Sequence, residues 1–149
     1  MDFHKTYERT TPWWRFFSAD FKQIMEWLEP TRIFGFEYED EFAKITKAGV
    51  ITAKIGFIHG ASGPTVDYLP FGIFRKQLKS QKRGVCKHDL IYYMAQKGVF
   101  KGPKSNLIKA IADSMLVDDI IIDGGWHERA EMWGFSVNHF GQSSWESNL

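Results

Sequence analysis

One stretch constrains this chain more than any other: Val85-Cys86-Lys87-His88-Asp89-Leu90-Ile91-Tyr92-Tyr93-Met94-Ala95, a His-Asp pair inside a nearly unbroken apolar and aromatic run. At helical spacing Asp89 shares a face with Val85, Cys86 and Tyr93, which predicts a carboxylate at least partly buried. An unpaired buried charge is expensive, so Asp89 must find a metal ion, a cation or several hydrogen bonds. The run ends at Gly98, a natural helix stop, and predicts a helix from about Arg83 to Gln96.

The elements around this helix fall in two blocks. Residues 33–58 change period: Phe34, Phe36 and Tyr38 alternate with Gly35 and Glu37, and Phe42, Ile45 and Val50–Ile55 continue in strand-like fashion. Lys47-Ala48-Gly49 reads as the turn between two of them. About three strands of an antiparallel meander are expected, followed by a loop of small residues, His59-Gly60-Ala61-Ser62-Gly63-Pro64. After the His-Asp helix, a second helix should begin past Pro103-Lys104-Ser105 and bury Leu107, Ile108, Ile111 and Met115. A third should start near Gly124-Gly125 with Asp123 as its cap, aligning Trp126, Ala130, Trp133 and Val137. Strands first and helices after make an α+β domain. At 149 residues one domain is expected, with residues 1–32 as an aromatic N-terminal extension and 142–149 as a peripheral polar tail. Within the extension, Ser18 to Leu28 reads as a short amphipathic helix capped by Ser18 and closed before Pro30.

Composition limits the functions open to the chain. A net charge of +1 supplies no global field toward nucleic acid or an anionic membrane. Cys86 is the only cysteine, so no disulfide within the chain and no cysteine-based zinc site can form. No apolar run approaches the roughly 20 residues that span a bilayer. The start, Met1-Asp2-Phe3-His4-Lys5, lacks the apolar core of a signal peptide, so synthesis in a cytoplasm and no secretion by a signal peptide are expected. The aromatic content of 16%, concentrated early in Trp13-Trp14-Arg15-Phe16-Phe17, marks Trp13, Trp14, Phe16 and Phe17 as an interface.

Four ordered segments resemble a family of phage and prophage proteins known only as a domain of unknown function, DUF1353. They are Gly56-Phe57-Ile58-His59-Gly60-Ala61-Ser62-Gly63-Pro64, His88-Asp89-Leu90-Ile91-Tyr92, Ala112-Asp113, and Trp126 through Phe140-Gly141. The resemblance covers about the last two-thirds of the chain. It implies a phage or prophage origin, hence synthesis in a host cytoplasm with association to a virion left open. It also implies a cleft shared by the small-residue loop, the His-Asp helix and Asp113, and it implies no settled activity. One departure is visible: His59 stands near the place of the family's Asp before the Ala-Ser step.

His88-Asp89 can be read as metal ligands, as an acid–base pair, or as a structural polar pair that holds the preceding loop. Adjacent helical residues point about 100° apart and meet on one ion only at a helix end or with unequal reach. In the metal reading His59, His88 and Asp89 hold zinc or manganese, with Asp113 completing the catalytic set of His88, Asp89 and Asp113. By its own helix Asp113 lies opposite the Leu107/Ile108/Ile111/Met115 stripe, on a solvated face; the resemblance turns it toward the cleft. Ser62 and Tyr92, with Arg75 and Lys76, are the binding candidates. Arg75 and Lys76 open a basic run through Lys79, Lys82, Arg83 and Lys87, whose plain reading is a solvated face balanced by Glu37, Glu39, Asp40 and Glu41, and nucleic acid is not the expected partner. His127 and His139 are outside metal spacing, and Asp118, Asp119 and Asp123 form no calcium loop. Two functions follow: a metal-assisted hydrolase of cell-wall polymer or phosphoester acting in or with a phage particle, or a non-enzymatic virion or tail component whose partners are other phage proteins or itself.

Overall fold

The computed structural model describes residues 2–12, 19–61 and 73–147. Trp13, Trp14, Phe16, Phe17 and Ser62 lie outside them, as does the expected cap Ser18. The fold is α+β, with antiparallel strands in the N-terminal half and helices in the C-terminal half. A single 3-10 turn, Phe3–Lys5, precedes the strands.

Two sheets stand where one three-stranded meander was expected. The first joins β1 (Tyr7–Arg9), β2 (Ala19–Gln23) and β7 (Ile58–Ala61) in the order β1-β2-β7. The second joins β3 (Trp27–Pro30), β4 (Tyr38–Glu39), β5 (Ala43–Ile45) and β6 (Val50–Ala53) in the order β3-β6-β5-β4. Every pairing is antiparallel. The turn between β5 and β6 falls where Lys47-Ala48-Gly49 placed it. Gly49 takes a φ of +85°, and a Cβ there would sit 2.7 Å from the Ile33 carbonyl oxygen. Of the alternating Phe34–Tyr38 stretch only Tyr38 enters a strand, as the first residue of β4.

The helix expected over 18–28 does not form. That segment is β2, a bend and β3 instead. Phe21, Gln23 and Trp27 are buried while Asp20, Lys22 and Leu28 face out, a period of two that the polar Gln23 disguised. Pairing with β1 on one side and β7 on the other supplies the hydrogen bonds that decide the matter.

The helices are α1 (Ile73–Gln96), α2 (Ser105–Ile122), α3 (His127–Phe140) and a short α4 (Gln142–Glu146). Helix α1 runs ten residues further toward the N-terminus than the apolar run indicated, and it ends as expected at Gly98, with a φ of +87°. Its inner face, through Cys86, Leu90, Ile91 and Met94, joins Ile33, Ile45 and Ile51 from the strand half in one core. A second cluster gathers Val85, Leu116, Ile120, Ala130 and Trp133 between α1, α2 and α3. Helix α3 starts one turn after the expected cap: Asp123 makes no cap there and Trp126 holds that position. Nor is the tail peripheral. Trp145 of α4 is buried, stacks on Phe100 at 5.9 Å and donates its indole N–H to Ser105 Oγ at 3.0 Å.

Candidate functional site

His88 and Asp89 point in two directions, as their place in a helix requires. His88 turns toward α2 and Asp89 toward β7. His88 Nε2–H donates to Asp113 Oδ1 at 2.8 Å. The same carboxylate accepts from Tyr92 OH at 2.8 Å and from Lys109 Nζ at 2.8 Å, so three donors converge on a residue that is only 2% exposed. Spacing explains the convergence: His88 and Tyr92 are four apart on α1, and Lys109 and Asp113 are four apart on α2.

Asp113 therefore does not lie on a solvated face. Helix α2 is turned so that Lys109, Ala112, Asp113 and Leu116 are covered, while Leu107, expected inside, is 57% exposed. Lys109 Nζ also donates to the Val137 carbonyl of α3 at 3.2 Å. The third helix covers the side of α2 that the apolar stripe left polar.

On its other side His88 Nδ1 stands 3.9 Å from Asp89 Oδ1, and Asp89 Oδ2 accepts the Gly60 N–H at 3.0 Å. The Asp89 side chain remains one-third exposed. The result is a carboxylate–imidazole–carboxylate row running from the interior to the surface beside β7. Burial opposes a charge on His88, but the hydrogen bond to Asp113 and the proximity of Asp89 outweigh it, and its pKa is raised. For Asp113 burial likewise opposes the charge, and the bonds from His88, Lys109 and Tyr92 prevail, holding its carboxyl below the usual range. Burial and Asp113 push the Tyr92 phenol up. Tyr92, a binding candidate by sequence, is a buried donor inside the row.

His59 is not brought into this row. Its ring lies among Phe3, Tyr7, Phe21 and Phe57. Gln23 Nε2 donates to Thr6 Oγ1 and the Met25 carbonyl, which turns Gln23 Oε1 toward His59 Nε2–H at 2.8 Å. The imidazole is a structural plug of the first sheet, its pKa lowered to about 4 by burial first, with Lys82 adding to the effect and Asp89 opposing it. The set His59, His88 and Asp89 is accordingly not gathered around one point. Among the described residues no three His, Cys, Asp or Glu groups are placed to hold a metal ion.

The basic run divides. Arg75 and Lys76 lie in the first turns of α1. Lys82 stands over the Phe21 ring at 4.5 Å. Arg83 and Lys87 are not on a solvated face: they turn inward onto Glu29, Asp119 and Asp123. Three of the acids expected to balance the run have other partners, Glu37 being 3.9 Å from Lys47. Glu39 pairs with Lys54, and Asp40 accepts from Tyr38 and Tyr93.

Family models, curated proteins and solved structures were each compared with the chain. None matches it.

Sequence reasoning missed the Arg83 network and Lys109. A signal existed. Arg83 and Lys87 are four apart on α1, Asp119 and Asp123 are four apart at the C-terminal end of α2, where Asp123 is the cap, and two such like-charged pairs are complementary once their helices pack. His127 and His139 are both exposed, and His139 stacks on Phe135.

Proposed function

We propose that the chain is a non-enzymatic interaction protein, of the kind a phage particle or its assembly uses, with the His88–Asp113 pair as an internal tie. The observation that carries this reading is on α3. The helix packs through Ala130 and Trp133 and turns Met132 and Phe135 to solvent, 41% and 58% exposed. Methionine and aromatic residues are enriched at protein interfaces, and a neighbouring pair on the outer face of a helix fits a docking stripe. The polar row agrees with it, because the oxygens of Asp113 are occupied by internal donors and His88 is held between two carboxylates. The resemblance to a phage family supplies the biological setting.

The test is association. Wild type should migrate above monomer mass, or be found in purified particles, and Met132→Glu with Phe135→Glu should abolish this while leaving the melting temperature within a few degrees. A monodisperse monomer absent from particles overturns the reading.

A second reading is favoured by one feature, the partly exposed Asp89 carboxylate backed by the His88 imidazole. In a hydrolase of cell-wall polymer or phosphoester, Asp89 would be the group presented to a metal ion or the substrate, with His88 and Asp113 behind it holding its position. Elemental analysis for zinc and manganese, with melting curves of wild type and Asp89→Asn with and without added metal, tests it. No bound metal and no metal-dependent shift in wild type would exclude the metal-assisted form.

A further inference from the structure

The outward face of α3 repeats at the spacing of helix-on-helix contact. Glu128, Met132, Phe135 and His139 follow one another at intervals of four, three and four residues, and all four are exposed. At 3.6 residues per turn they fall in one stripe along the helix, opposite the buried Ala130 and Trp133. Alternating steps of four and three are the signature of a helix that packs along another helix.

The order of chemistry along the stripe says what that other helix is. It reads acid, apolar, apolar, base, and turned end over end it becomes its own complement. A twofold axis crossing α3 midway between Met132 and Phe135 sets Glu128 against His139 of a second copy, and Met132 against Phe135 of that copy, each pair twice. Glu131, on the flank of the stripe, then falls beside Asn138 of the second copy, so no acid faces an acid. His139 is arranged to serve such a contact. Its ring stacks on Phe135 with centroids 4.0 Å apart, and its Nδ1–H donates to the Phe135 carbonyl at 2.9 Å, which leaves Nε2 as the nitrogen for an acceptor outside the chain. A helix of unrelated sequence would have to present the reversed pattern at the same spacing, whereas a second α3 carries it already.

We infer that α3 docks antiparallel on α3 of a second copy of this chain, in that register. The inference rests on reading Met132 and Phe135 as a docking stripe and names what docks there. Sedimentation equilibrium of the full chain, up to about 1 mM, tests it, with melting curves to confirm that each variant folds. Wild type should dimerise reversibly, and Met132→Glu should abolish the dimer. Glu128→Lys and His139→Glu should each weaken it about fivefold, and the double variant should recover the wild-type affinity. Positions 128 and 139 are separated by roughly 16 Å along the helix, so they make no contact within one chain and the recovery can come only from pairing between copies. Should His139→Glu not fold, His139→Lys takes its place. That change should tighten the dimer, and Glu128→Lys should then weaken it more than it weakens wild type. A wild type that stays monomeric overturns the inference, while the docking stripe itself is judged apart, by particle association and its loss in Met132→Glu with Phe135→Glu. A dimer that the single charge variants leave unchanged, or that the double variant does not restore, overturns it as well.

Discussion

Asp113→Asn is the substitution that tests the central polar row most directly. The change is isosteric, so no cavity forms and the loss is one of charge and hydrogen-bond direction. Three donors stand 2.8 Å from the two carboxylate oxygens. An amide can keep an oxygen toward one side only. Its NH2 then faces either Lys109 Nζ or the pair His88 and Tyr92, donor against donor. Hydrogen bonds to a charged acceptor contribute about 1.5–3 kcal/mol each, but the retained oxygen keeps part of that. Removing one partner of a buried ion pair costs about 3–5 kcal/mol, and we expect a loss in that range, a large share of the roughly 5–15 kcal/mol that holds a domain together.

Urea unfolding at pH 7 measures it, and with a slope near 2 kcal/mol/M the midpoint should fall by about 2 M. Asp89→Asn is the control. One-third exposed and taking one backbone N–H, it should lose about 1 kcal/mol or less. The pH dependence adds a second check. His88 has a raised folded pKa, so its contribution is complete below about pH 6.5 and is lost as pH rises through the folded value. Asp113 has a lowered one, so its contribution is present above about pH 3.9 and is lost as pH falls through the folded value. The gap between wild type and Asp113→Asn should be widest between these limits and narrow on both sides. A loss under about 1 kcal/mol, a loss equal to that of Asp89→Asn, or a gap that ignores pH would refute the reasoning.

Three further outcomes are expected. His59, with a folded pKa of about 4, is depressed from its ordinary value, so its stabilisation is whole above about pH 6.5 and is lost as pH falls toward 4; at 1.36 kcal/mol per unit this amounts to roughly 3 kcal/mol. His59→Gln should flatten that acid limb in urea titrations at several pH values, and parallel curves for the two proteins would count against it. Arg83→Gln should cost about 3–5 kcal/mol by leaving Glu29, Asp119 and Asp123 short of a cation, and Arg83→Lys should recover only part, because one ammonium cannot reach all three; calorimetric melting checks both. Gly125→Ala places a Cβ 2.5 Å from Ile120 Cγ2 and 2.7 Å from the Ile120 carbonyl oxygen, so overpacking of about 1–3 kcal/mol is expected. An unchanged melting temperature would mean that the α2–α3 turn relaxes freely.

Local pattern carried much of this fold in advance. The α+β class, the Gly49 turn, the Gly98 stop and the buried run through Leu90 and Met94 all follow from period, glycine conformation and apolar content within a few residues of each other. Segment 18–28 was misread because Gln23, polar and yet buried, broke the alternation that would have declared a strand, and its burial depends on His59, thirty-six residues away. The His88–Asp89 pair was recognisable as a group in need of partners, while the partner of His88 was not identified by spacing on α1.

By itself, then, the sequence determined which segments carry apolar faces, where the chain must turn, and that a charged pair inside an apolar run has to be compensated. Those are properties of neighbours along the chain. Only the tertiary structure decided that Asp113 answers His88, that His59 plugs an aromatic nest, and that Arg83 and Lys87 leave the surface for Glu29, Asp119 and Asp123. The physical reason is the same in each case. A charge is indifferent to its place in the chain and responds to what packs against it within a few ångströms, and the rotation of α2 about its axis, set by the cover that α3 and α4 provide, brings those groups into reach.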